Sequence, residues 1–109
     1  MKRLPYLAAA AFAAGTTVAQ PLTFKDDVPM HAYLDALAQI SPPARQAADH
    51  YAQAFRDRCG RAMTARELRR AFAEGTGEPV LMRMIRASSL NDRNALHALS
   101  ASVPCPRDR

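Results

Sequence analysis

YAQAFRDRCGRAMTARELRRAF, Tyr51 to Phe72, ends one helix and begins another, with a cysteine at the join. Gly60 directly follows Cys59 and suits the left-handed position that closes a helix, which costs glycine no Cβ clash. Thr64 and Glu67 have the Ser/Thr-x-x-Glu spacing, in which the hydroxyl caps the new helix and the carboxylate reaches back to the backbone. The stretch therefore predicts helix, corner, helix.

Working back from it, Ala44, Ala47, Ala48, Tyr51, Phe55 and Cys59 recur at three-and-four spacing and form one buried stripe. Ser41-Pro42-Pro43 starts this helix, with serine as N-cap and proline in the first turn, where its missing N–H costs nothing. Before it, Met30, Tyr33, Leu34, Leu37 and Ile40 predict another amphipathic helix, with His31, Asp35 and Gln39 on its opposite face. Asp26 or Asp27 is expected to cap that helix, with Pro29 in its opening turn. Residues 20–28 have no helical period and read as an extended arm.

Working forward, a third helix from Ala65 to Glu74 buries Ala65, Leu68, Ala71 and Phe72, and Gly75-Thr76-Gly77 breaks it. Glu78-Pro79 opens a fourth, whose Val80, Leu81, Met82, Met84 and Ile85 cover more than one face and predict the most enclosed helix. Ser88 to Asp92 read as a turn. Ala95, Leu96, Leu99 and Val103 mark a fifth helix ending before Pro104, and Pro104-Cys105-Pro106 cannot remain helical. No strand alternation or repeat interrupts the mature chain. The expected fold is all-α: a compact bundle of four to five short helices over residues 29–106, with 107–109 as a tail.

The first residues point to export. Lys2 and Arg3 precede an apolar run from Leu7 to Ala14, and Thr17-Val18-Ala19 forms a small-residue cleavage site before Gln20, the pattern of a secretory signal peptide over residues 1–19. The run is too short and too interrupted to span a bilayer as an anchor. A periplasmic or secreted product is expected. With only two cysteines in the chain, an oxidising compartment predicts a Cys59–Cys105 disulfide tying the end of the second helix to the tail behind the fifth. A marginal core gains most from such a staple.

The formal net charge is +5, and removing the leader takes away only Lys2 and Arg3. An exported basic protein is expected to meet acidic protein surfaces, phosphorylated glycolipid or anionic phospholipid headgroups rather than nucleic acid. Arg56, Arg58, Arg61, Arg66, Arg69 and Arg70 flank the corner with only Asp57 and Glu67 among them. Arg66, Arg69 and Arg70 share one helix face, where like charges oppose helix formation unless carboxylates or an acidic partner answer them. These six arginines are the candidate partner-binding residues; a plain solvated face is the competing reading.

Other constellations carry less. His31, His50 and His97 each fall on the polar side of a different helix, with no HxxxH or HExxH spacing, and read as surface histidines. Met30, Met63, Met82 and Met84 raise a copper carrier, but Met82 and Met84 lie about 200° apart around a helix and methionine is a routine core filler. The serines lack a nucleophile elbow, carboxylates such as Glu74 have arginine partners one turn away in Arg70, and Cys-x-x-Cys-His for haem is missing. No catalytic residue, metal or cofactor is implied.

The pattern Cys59-Gly-Arg-Ala-Met-Thr64 followed by Glu67-Leu68, then an alanine- and leucine-rich last helix running into Val103-Pro104-Cys105-Pro106, resembles the small periplasmic immunity proteins that neutralise amidase effectors of type VI secretion. Met30 to Leu37 is a looser match. The chain departs from that family in lacking further cysteines and a glycine-bearing helix upstream. The resemblance implies an exported, all-helical, disulfide-stapled protein that acts by binding an envelope-acting effector. Association with anionic membrane or lipopolysaccharide surfaces is the alternative, and an unrecognised enzyme or metal carrier a third.

Overall fold

The computed structural model describes residues 28–107. The leader, its cleavage site, residues 20–27 of the arm, the Asp26 and Asp27 caps and residues 108–109 lie outside the described residues. Five helices follow in order: α1 Met30–Ile40, α2 Pro42–Cys59, α3 Ala65–Ala73, α4 Pro79–Ser89 and α5 Arg93–Ser100. No strand occurs among the described residues. The fold is all-α, closed by one disulfide between Cys59 and Cys105.

Helix α2 is the spine, packed against α1, α4 and α5, while α4 also meets α3 and α5. Ser41 accepts from Ala44 N with its side chain and opens α2 as its N-cap. Ala47 and Ala48 are wholly buried, and their small side chains let the neighbouring backbones come close. Leu68, Leu81, Met84, Leu96 and Val103 fill the centre. Burying side chains of this size contributes about 1.5–3 kcal/mol each. Arg45 links α1 to α2 at the surface, donating to Asp49 at 2.9 Å and to Asp35 at 3.3 Å.

Several boundaries differ from those expected. Helix α1 begins at Met30 with Pro29 as its N-cap and no capping side chain. Ile40, expected inside, is 80% exposed. It holds the last position of α1, and Ser41 turns the chain into extended backbone (φ −156°) before Ile40 meets a neighbour. Helix α3 stops at Ala73, with Glu74 in extended backbone beyond it. Helix α4 continues through Ser88 and Ser89, because Ser89 Oγ bonds back to Ile85 O at 3.1 Å and so remains compatible with the helix.

The turn before α5 therefore starts at Leu90, with Asn91 at φ 56° and Asp92 accepting from Ala95 N as N-cap. Helix α5 ends at Ser100, short of Val103. The following Pro104 disfavours helical backbone at Val103. Val103 is nonetheless fully buried, reaching the core from the non-helical tail. The sequence pattern identified the buried residue and misassigned its backbone.

Candidate partner-binding site

The α2–α3 corner is built from local chemistry. Gly60 adopts φ 80° and its N–H donates to Arg56 O at 3.0 Å, closing α2. Thr64 Oγ1 accepts from Glu67 N at 3.1 Å while Glu67 Oε1 accepts from Thr64 N at 2.9 Å, the full reciprocal capping box. The disulfide joins this corner to the tail with a Cα–Cα distance of 5.6 Å, bringing Pro104, Cys105 and Pro106 beside α3.

Two of the six corner arginines hold the corner itself together. Arg61 grips Glu67 with both arms of its guanidinium, at 3.0 and 2.8 Å, and its Cζ lies 5.0 Å from the Phe55 ring centroid. The Arg61 hydrogen bonds, with the Thr64 N–H, hold the Glu67 carboxyl down at about 2. Arg58 Nε donates to Val103 O at 2.7 Å and fastens the tail that the disulfide brings in. Both are therefore structural members of the corner. The spacing of charges along the chain gave no sign of this, because both contacts depend on how the corner folds.

The remaining arginines are differently placed. Arg56 is exposed in the last turn of α2, lining a shallow cleft with Met30, Gln53 and Met63. Arg69 is half-buried and acts electrostatically on Tyr33 of α1; burial pushes that phenol up and Arg69 partly opposes the shift. Phe72 meets the Tyr33 ring edge-on at 6.5 Å, which completes the α1–α3 contact. Arg66 and Arg70 are exposed on the solvent side of α3, about 40° apart around the helix.

Arg70 also lines a cleft of about 210 Å³ with Tyr51, Phe55, Met63 and the Pro104–Pro106 tail. Glu67, Glu74 and Glu78 line it as well. Glu67 is held by Arg61, and Glu78 accepts from Leu81 N at 3.0 Å as the cap of α4. Burial pushes the Tyr51 phenol upward, and the neighbouring Glu78 carboxylate reinforces the shift. Arg70 and Glu74 make no ion pair among the described residues, contrary to the pairing expected from their spacing. Glu74 has already left helical backbone (ψ 122°), so its side chain no longer follows the one-turn register. The cleft was not legible beforehand. The cysteine pair signalled that the tail returns to the corner, but not that it walls an opening over Tyr51 and Phe55.

The other candidates also take definite positions. Met63 and Met84 are buried, and Met30 and Met82 pack against the same core. No group of three or more metal-ligating side chains occurs among the described residues. His31, His50 and His97 are all exposed, yet His50 and His97 line one cleft between α2 and α5 that their separate helices did not foretell.

Comparison with protein-family models, with curated proteins and with solved structures finds no match.

Proposed function

We propose that this protein is an exported binding protein, without catalytic activity of its own, that recognises an acidic partner protein through α3 and the adjoining cleft. In its sharpest form the reading is an immunity or inhibitor protein for an effector acting in the cell envelope, as the resemblance at the corner and tail implies. The observation that carries it is the disulfide-anchored corner, which presents exposed Arg66 and Arg70 beside an opening walled by Tyr51, Phe55, Met63 and the Pro104–Pro106 tail. Guanidinium forks suit carboxylates, and a recess that offers Tyr51, Phe55 and Met63 beside the glutamates that also line it suits an anchoring side chain. The disulfide accords with a compartment outside the cytosol, which supports placing the protein in the periplasm or the medium after cleavage behind Ala19.

Mature protein immobilised and exposed to periplasmic extract tests the reading. The expected result is one partner retained by wild type and released by salt, and not retained by Arg66→Glu/Arg69→Glu/Arg70→Glu. Equal retention by the triple variant would refute it.

A second reading, attachment to an anionic envelope surface, is favoured by a different feature. Leu90 is 66% exposed at the end of α4 and shares an apolar groove with Arg83 and Arg86, a combination that suits the headgroup region of a bilayer. Retention on anionic but not neutral vesicles, without any protein partner, would favour it over the first. Among the described residues no helix is long and apolar enough to cross a membrane.

A further inference from the structure

We infer that the cleft between α2 and α5 is a second site, which binds a phosphoryl anion through His50, His97 and Arg93. The cleft, of about 280 Å³, is lined by Gln46 and His50 from α2 and by Arg93, Leu96, His97 and Ser100 from α5. Gln46 and His50 are four residues apart, as are Arg93 and His97, so each helix presents a pair from one face across successive turns. Packing of α2 against α5 brings the two pairs together. Leu96, 2% exposed, closes the floor.

The chemistry of this lining is one-sided. No carboxylate contributes to it, although Asp49 and Asp92 immediately precede His50 and Arg93 in the chain. Asp49 binds Arg45 at 2.9 Å, and Asp92 caps α5 by accepting from Ala95 N at 3.0 Å. The side chains of Gln46, His50, Arg93 and His97 make no ion pair or hydrogen bond among the described residues. Ser100 is different, since its hydroxyl already donates to Leu96 O at 3.1 Å.

Donors thus come from two helices with no carboxylate among them to neutralise the guanidinium. A guanidinium fork covers two oxygens of an anion, leaving others for the imidazole N–H groups and the Gln46 amide, and a tetrahedral phosphoryl group offers oxygens in enough directions to use all of them. A flat carboxylate does not. A metal cation is disfavoured by the guanidinium on the same wall. The opening is larger than inorganic phosphate, so a phosphomonoester with its substituent directed to solvent also fits. No lining residue is shared with the cleft beside the disulfide, so this site stands or falls independently of the α3 reading.

The test uses the folded, disulfide-bonded protein titrated with inorganic phosphate at constant ionic strength, read by NMR at the histidine rings. His50 and His97 are expected to shift together and saturate in the range of about 1 mM, while His31 stays unmoved. Arg93→Ala should weaken binding at least tenfold with the helical circular dichroism unchanged, since Arg93 is exposed. Arg66→Glu/Arg69→Glu/Arg70→Glu should leave the titration intact. A parallel arm measures retention on vesicles of phosphatidic acid in phosphatidylcholine against phosphatidylcholine alone. Loss of that retention in His50→Ala/Arg93→Ala/His97→Ala identifies a lipid headgroup as the source of the phosphoryl group; phosphate shifts without vesicle retention identify a soluble phosphate compound. The inference is overturned if neither probe engages these residues, if chloride moves all three histidines alike, or if Arg93→Ala titrates as wild type.

Discussion

Replacing both cysteines, as Cys59→Ala/Cys105→Ala, removes a bridge that closes a loop with a sequence separation of 46. In the chain-entropy model a loop of that size restricts the unfolded ensemble by an amount equivalent to about 4 kcal/mol at 25 °C. The described domain, residues 28–107, falls in a size range whose whole stability is about 4–12 kcal/mol. The bridge therefore decides whether the fold survives mild stress. Urea unfolding followed by circular dichroism at 222 nm measures the effect. With an m-value of about 1.3 kcal/mol/M for so small a domain, the midpoint should fall by about 3 M. Because the effect lies in the unfolded chain, the native helical signal in water should be close to wild type wherever the variant remains folded. Val103 and the Arg58–Val103 hydrogen bond still dock the tail in the variant, so a free tail is not the expected explanation of the loss. A midpoint change worth less than about 1 kcal/mol would refute the loop-closure reasoning.

Three further outcomes follow from particular contacts. The Glu67 carboxyl sits at about 2 in the fold against an ordinary value of 4.5, so its contribution is present above pH 4.5 and is lost as pH falls toward 2. Glu67→Gln, which keeps the capping acceptor but not the charge, should flatten acid unfolding over that window by about 1 kcal/mol or less, given the half-exposed Arg61 partner; a steeper profile than wild type would contradict it. Ser88 is 4% exposed with its hydroxyl unpartnered among the described residues, so Ser88→Ala should be neutral or raise the melting temperature by a few degrees, and a clear loss of stability would contradict this. Gly77→Ala should destabilise more than Gly60→Ala in urea titrations. Both glycines have positive φ, but a Cβ at Gly77 would come within 2.6 Å of Met82 Sδ whereas one at Gly60 meets nothing within 4 Å; equal effects would show that φ alone governs both sites.

The elements that could be read from the sequence were those whose determinants lie within a turn or two of chain. The Gly60 closure, the Thr64–Glu67 box, the Ser41 cap, the opening of α4 at Glu78-Pro79 and the stripe on α2 are of this kind, and all were found in place. The disulfide was also legible, since the leader pattern predicts an oxidising compartment and two cysteines leave one pairing. What escaped depended on tertiary placement. Ile40 continues a perfect apolar period into a helix end that none of the described residues covers, and Val103 continues one past the end of its helix. Arg58 and Arg61 look like their arginine neighbours along the chain and differ from them only by what the folded corner brings near. The shared cleft of His50 and His97 needed the α2–α5 contact.

The proposal that α3 is a recognition face is tested most directly by capture from periplasmic extract with wild type and the Arg66→Glu/Arg69→Glu/Arg70→Glu variant side by side, in low and in physiological salt. Leu68 and Ala71 keep their buried positions in the variant, but half-buried Arg69 also acts on Tyr33 of α1, so Arg66→Glu/Arg70→Glu is run beside it and matching circular dichroism is required of both before capture is compared. One protein should be retained by wild type, less so in physiological salt, and should be absent from the variant. Retention of the same protein by both at equal yield would contradict it.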